Sequence, residues 1–252
     1  MSSPVVPLAV VTGGSGAIGS AVVRGFAGAG HRVAVLDRDP LPAELAARAG
    51  VKHYVCELAE ADSVDRAVDV VTREETELRF VVGIAGGAID DEVAAQKNGE
   101  LPAVAAFRAS VEENLMAQYV PLRALLPRLA RASGDRAVVL VSSINALAGF
   151  GLPAYSAAKA GLIGLMHALT GPLGAAGIRI NVVAPGTIPT PKTDAFWGSA
   201  ATQDLLRYSA LGHAGTPDQV AAAVLALCTA LSHVTGHVLV VDGGQLVHRP
   251  LQ

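Results

Sequence analysis

The chain has 252 residues, 51% of them hydrophobic and 16% charged, with a net charge of −3. This length and composition fit one large α/β domain with a substantial core and exclude the basic field expected of a protein that binds nucleic acid or an anionic membrane. Two distant cysteines, Cys56 and Cys228, offer neither a disulfide framework nor a zinc spacing. With no signal-peptide pattern and no apolar stretch of ~18 residues, the expected setting is the reducing cytoplasm.

Leu8–Val11 is the first apolar run and predicts a strand. It leads through Thr12-Gly13-Gly14-Ser15-Gly16-Ala17-Ile18-Gly19 into a helix over Ala17–Ala27. Glycines in a strand-to-helix turn allow a pyrophosphate to approach closely, and the helix N-terminus presents free N–H groups and a positive dipole end. An ordinary glycine turn would read the same way in isolation. Arg32–Leu36 predicts the second strand, followed by Asp37. A carboxylate there can accept hydrogen bonds from ribose hydroxyls and repels a 2′-phosphate; a turn residue ahead of Asp39-Pro40 is the other reading. Gly16 places no cation in the loop, whereas Arg38 could pair with a phosphate; on balance NAD(H) is expected over NADP(H).

Further strands are predicted over Lys52–Cys56, Leu78–Gly83, Ala137–Ser142, Arg179–Val183 and Val238–Val241. They are mostly apolar rather than alternating, the pattern of strands covered on both faces. Helices are predicted over Pro42–Ala49, Ser63–Glu75, Val111–Arg131, Tyr155–Ala175 and Pro217–Ala230, with Pro121 and Pro127 expected to kink or divide the long middle one. Regular βαβ alternation implies a doubly wound parallel sheet of about seven strands with helices on both faces. The polar segment Ile89–Pro102 and the long segment Gly186–Leu211, which holds Phe196 and Trp197, break the rhythm and read as loops. Both follow the C-terminal ends of strands, where open α/β sheets bind ligands.

Tyr155 and Lys159 lie four residues apart and so share one helix face. A cation beside a phenol favours phenolate and lowers the tyrosine pKa, which makes an acid/base catalyst. Ser142 or Ser143, ending the preceding strand, could hold a carbonyl oxygen. On spacing alone, a surface tyrosine next to a solvated lysine is the better reading.

Taken in order, these motifs resemble the short-chain dehydrogenase/reductase family over nearly the whole chain. Thr12–Gly19 is similar to its Thr-Gly-x-x-x-Gly-x-Gly loop. Asn114, Ser143, Tyr155 and Lys159 resemble its catalytic tetrad. Pro185-Gly186-Thr187-Ile188-Pro189-Thr190 is similar to the segment gripping the nicotinamide end, and Asp242-Gly243-Gly244 to the ending of the last strand.

The resemblance implies one Rossmann domain, residues 1–252, carrying both cofactor and substrate sites, the substrate loop at about 186–211. It implies hydride exchange between NAD(H) and a secondary alcohol or ketone, and no metal. Cofactor contacts are implied for Gly13, Ser15, Gly16, Ile18, Gly19, Asp37, Arg38, Glu57, Leu58, Ala85, Gly86, Tyr155, Lys159, Pro185, Gly186, Ile188 and Thr190. The implied partners are a small-molecule substrate and further copies of the chain, in a homotetramer or homodimer. A non-catalytic NAD-binding sensor or scaffold is the alternative.

Three positions depart from the family pattern. Ala17 stands at a usual glycine. Gly83-Ile84-Ala85-Gly86 replaces Asn-Asn-Ala-Gly, removing two amides that tie the central sheet together. Ser143 lies twelve residues before Tyr155 rather than thirteen, which keeps Ser142 as a second candidate.

Overall fold

The computed structural model describes residues 6–74, 77–190 and 206–249. Seven parallel strands form one sheet: β1 (Leu8–Thr12), β2 (Arg32–Asp37), β3 (Val51–Val55), β4 (Leu78–Gly83), β5 (Arg136–Val141), β6 (Ile178–Pro185) and β7 (Val238–Val241), in the order 3-2-1-4-5-6-7. Chain order reverses between β1 and β4. The loops leaving these two strands therefore splay apart and open a crevice at their C-terminal ends.

The side chains of β1 show how the core is divided. Leu8 and Val10 face one apolar cluster, and Ala9 and Val11 face the other, as the two-residue period of a strand requires. The first cluster is closed by α3 (Ala61–Glu74), α6 (Ala117–Leu129) and α7 (Pro153–Ala175), through residues such as Val64, Leu122, Leu162 and Met166. The second is closed by α1 (Ala17–Gly28) and α8 (Pro217–Thr229), with Val22, Phe26, Val220 and Val224. Burial on both faces accounts for the continuous apolar runs of β1, β2, β4, β5 and β6. The outer strands differ: Val55 of β3 is 75% exposed and β7 is only half-buried along its length, because each pairs on one side alone.

The helix after β2 is short, α2 (Ala43–Ala46). The segment expected as a polar loop, residues 89–102, contains α4 (Asp90–Lys97) and is followed by α5 (Val104–Val111). Three acids in the first turn of α4 favour its N-terminus, a stabilising pattern that an apolar-periodicity reading overlooks. Pro121 and Pro127 lie inside α6 without dividing it. The irregularity falls earlier, in a π turn over Glu112–Met116 that carries Asn114. Among the described residues, no helix is long and apolar enough to cross a membrane.

Candidate active site

The glycine loop closes tightly on itself. Gly13 adopts φ +74, and a Cβ there would sit 2.6 Å from the Ala85 backbone nitrogen, so the loop packs directly on the chain leaving β4. At Gly19 a Cβ would collide with the Gly13 carbonyl oxygen. Gly16 is different: its Cβ would meet nothing closer than 3.7 Å, so the protein's own packing does not demand glycine there. No side chain caps α1 at Gly16, which leaves first-turn N–H groups to face an anion. A helix end without a cap beside a glycine that only an incoming ligand would require fits a dinucleotide pyrophosphate.

Asp37 is buried at the end of β2, its Oδ2 accepting from the Ser15 N–H (2.9 Å) and its Oδ1 from the Asp39 N–H (3.1 Å). Its carboxylate is thereby aimed over the glycine loop. Arg38 lies 3.9 Å from Glu57 and 4.0 Å from Glu113. The Glu57 N–H donates to Ser63 Oγ (3.0 Å), and Leu58 is buried beside it.

On the other side of the crevice, Asn114, Ser143, Tyr155 and Lys159 come together. The π turn widens the helix where Asn114 must reach across, a placement common at functional sites. Its Oδ1 accepts from the Gly87 N–H (2.8 Å), while Nδ2 donates to the Gly87 and Ser110 carbonyls (2.9 and 3.0 Å). Lys159 is 3% exposed, and Nζ donates to the Val141 carbonyl (3.1 Å) and lies 5.8 Å from the centre of the Tyr155 ring. A Cβ at Gly86 would clash with Asn114 Oδ1 and lie 3.0 Å from Lys159 Nζ, so both polar ends converge on that glycine.

The two serines separate by partner. Ser142 Oγ donates to the Lys159 carbonyl (2.8 Å) and is consumed in holding the helix backbone. Ser143 Oγ donates to Asn145 Oδ1 (3.3 Å) and accepts from the Asn145 N–H (3.2 Å), and of the two serines it is the one whose hydroxyl acts on the Tyr155 phenol, pulling its pKa down.

The electrostatics correct the expectation that Lys159 lowers the tyrosine pKa. Burial pushes the Tyr155 phenol up, the Ser143 hydrogen bond pulls it down, and the carboxylate of Glu92 raises it. Lys159 is itself pushed down to about 7 by burial. Burial thus opposes the charge on Lys159 that would favour the phenolate.

The segment leaving β6 is held by the end of β7 and the chain beyond it. The Gly186 N–H donates to the Val241 carbonyl (2.9 Å), and Thr187 donates through its N–H (3.1 Å) and hydroxyl (2.9 Å) to Gln245 Oε1. Pro185 ends β6, Ile188 packs against the second core cluster, and Thr190 closes the described part of this segment. Residues 191–205, with Phe196 and Trp197, lie outside the described residues.

Two buried polar residues of this site belong to no recognised motif. Gln118 Nε2 bridges the carbonyls of Ala85 (3.0 Å) and Val141 (2.9 Å), tying the ends of β4 and β5. A Cβ at Gly83 would lie 2.9 Å from Gln118 Oε1 and 3.0 Å from Leu140 Cδ2. The amide missing from the segment after β4 is thus supplied from α6, and Gly83 is small because Gln118 occupies the space. Glu92, fully buried on α4, reaches the start of α7. A buried Gln or Glu on a helix leaves no spacing signature, and neither residue could have been found without its long-range partner.

A family model described as enoyl-(acyl carrier protein) reductase matches residues 13–245. The chain belongs to the short-chain dehydrogenase/reductase family, oxidoreductases that bind a nicotinamide dinucleotide. It is 35% identical to an uncharacterized oxidoreductase of Schizosaccharomyces pombe over 96% of this chain and 91% of that protein. It is 32% identical to the human 3-oxoacyl-[acyl-carrier-protein] reductase over 93% and 95%. Among solved structures, a short-chain dehydrogenase/reductase family oxidoreductase from Burkholderia thailandensis superposes with a TM-score of 0.84 at 35% identity, covering 96% of this chain and 94% of that one.

Proposed function

We propose that the protein is an NAD(H)-dependent oxidoreductase interconverting a secondary alcohol and a ketone, with Asn114, Ser143, Tyr155 and Lys159 as its catalytic residues. The observation that carries this reading is the convergence of Asn114 Oδ1 and the buried Lys159 Nζ on Gly86, with the Tyr155 ring centre 5.8 Å from that ammonium. When bound, the nicotinamide supplies or accepts the hydride. Tyr155 gives its phenolic proton to the nascent alkoxide in reduction and takes it back in oxidation. Ser143 donates to the substrate oxygen and stabilises its developing charge. Lys159 restores the phenol's proton, with Asn114 anchoring the relay to solvent. One domain carries both sites, the substrate entering beside residues 186–211.

Preference for NAD over NADP is supported by the Asp37 carboxylate, which would oppose a 2′-phosphate, and by Arg38, whose charge already faces Glu57 and Glu113. Gln118 ties the ends of β4 and β5, which supports a catalytic site over a non-catalytic scaffold. The apolar side chains Val104 and Phe107 exposed on α5 suit self-association into a homodimer or homotetramer. Two buried free thiols suit a reducing cytoplasm.

Tyr155→Phe tests the chemistry. With NADH and a panel of ketones, kcat should fall by roughly 10²–10⁴-fold while NADH still binds. Turnover near that of the wild type overturns the assignment.

A further inference from the structure

The helix that carries Tyr155 and Lys159 begins without a cap of its own. Leu152, its N-cap, has no side-chain acceptor and adopts φ 51, the one positive φ outside glycine among the described residues. Pro153 follows and brings no N–H. The N–H groups of Leu152, Ala154 and Tyr155 therefore point away from the helix, and Ala154 is fully buried. Left unpaired, each would carry a desolvation cost of about 1–3 kcal/mol.

Two side chains one turn apart on α4 meet all three. Glu92 Oε1 accepts from the Ala154 N–H (2.7 Å) and the Tyr155 N–H (3.1 Å), and Glu92 Oε2 lies 3.2 Å from the Tyr155 nitrogen. Gln96 Oε1 accepts from the Leu152 N–H (3.1 Å). Gly151 adopts φ +85, and any Cβ there would collide with the Gln96 side-chain amide; the turn is shaped around the glutamine. Ser156 Oγ secures the same turn by donating to the Gly151 carbonyl (2.8 Å). Glu92 is fully buried and has no cationic partner among the described residues. Its charge faces the positive N-terminal ends of α4 and α7 together.

We propose that Glu92, with Gln96 completing the contact, is a positioning residue for the catalytic tyrosine: it fixes the first turn of α7 through the backbone of Tyr155 itself and so holds the phenol against Ser143. This rests on the reading of Tyr155 as the acid/base group. The charge has a second consequence. Among the described residues, the titratable groups around the phenol are Glu92 from α4 and Lys159 from its own helix, with the Ser143 hydroxyl also acting on it. Removing the carboxylate favours the phenolate.

Glu92→Gln keeps an acceptor for the N–H groups and drops the charge; Glu92→Ala removes both. In Glu92→Ala, kcat should fall ~10–100-fold, the cost of a slightly misplaced catalytic group, with the NADH Kd within about threefold of wild type. In Glu92→Gln, more of kcat should survive. Its phenol, followed by near-ultraviolet phenolate absorbance with Tyr155→Phe as the blank, should titrate at lower pH than the wild type. Gln96→Ala should reduce kcat less and leave the titration in place.

If Glu92→Ala does not fold, Glu92→Gln and Gln96→Ala decide. An unmoved titration in Glu92→Gln overturns the proposal, as does a loss of NADH binding in step with kcat. The titration needs no turnover, so a wild type that reduced no ketone would refute the proposed function and leave this test standing.

Discussion

At the glycine loop, the groups that would meet a pyrophosphate are backbone N–H groups contiguous in sequence, shaped by Gly13, Gly16 and Gly19. Around Tyr155 the polar groups arrive from afar. Asn114 crosses to Gly87, Gln118 to Ala85 and Val141, Ser142 to the Lys159 carbonyl, and Glu92 to Ala154 and Tyr155. The first region binds by shape and dipole, and a local sequence suffices to build it. The second must hold a phenol and an ammonium out of water, and only a buried network spanning several elements can do that. Substitutions in the first should act on cofactor affinity, and those in the second on turnover and on the pH behaviour of the fold.

The serine pair gives the largest expected contrast within the catalytic region. Ser143→Ala should lower kcat by about 10²-fold, the effect of removing one donor to a developing oxyanion, whereas Ser142→Ala should cost stability of about 1 kcal/mol with turnover largely kept. Steady-state kinetics beside thermal melts would check both, and the reverse ranking would transfer the role to Ser142.

Across the two regions, Gly16→Ala should weaken NADH binding roughly tenfold with no change in Tm, because nothing in the protein occupies the space of the new methyl. A lowered Tm would show that the loop needs this glycine for itself.

Lys159→Met should abolish most turnover yet stabilise the cofactor-free protein near neutral pH. The Lys159 pKa is lowered from 10.5 to about 7 on folding. Its contribution to stability is therefore fully present above the unfolded value and is lost as pH falls through about 7. Denaturant melts from pH 7 upward should show wild-type stability rising relative to Lys159→Met; parallel curves would refute the burial of an ammonium.

The smallest effect concerns the substituted amide. Gly83→Ala should destabilise by about 1–3 kcal/mol through overpacking against Gln118 and Leu140. Adding Gln118→Ala should then cost less than it does alone, a coupling that a double-mutant cycle reads directly. Additivity would separate the two positions.

Legibility in the sequence follows the same division. Val-rich runs marked every strand, and the glycine loop, Asp37, and the Tyr155/Lys159 spacing were visible because each depends on neighbours within a turn or a strand. The helix Asp90–Lys97 looks like loop in the sequence, because its acids contribute through the N-terminal dipole rather than an apolar stripe. Two prolines in α6 suggested a break that the fold instead makes one turn earlier, at Glu112–Met116, where Asn114 has to reach Gly87. The missing asparagines after β4 read as a lost tie, because the Gln118 that replaces them lies more than thirty residues away.

By itself the sequence determined the doubly wound sheet and marked the candidate cofactor loop and candidate catalytic groups, since periodicity, turn chemistry and short spacings are written in adjacent residues. Tertiary structure alone decided which serine faces the phenol, that Gln118 fills the space of Gly83, and that Glu92 anchors the catalytic helix. It also reversed the expected shift of the Tyr155 pKa. Desolvation depends on what is packed around a group, and hydrogen bonds between distant segments exist only once the chain has brought them together.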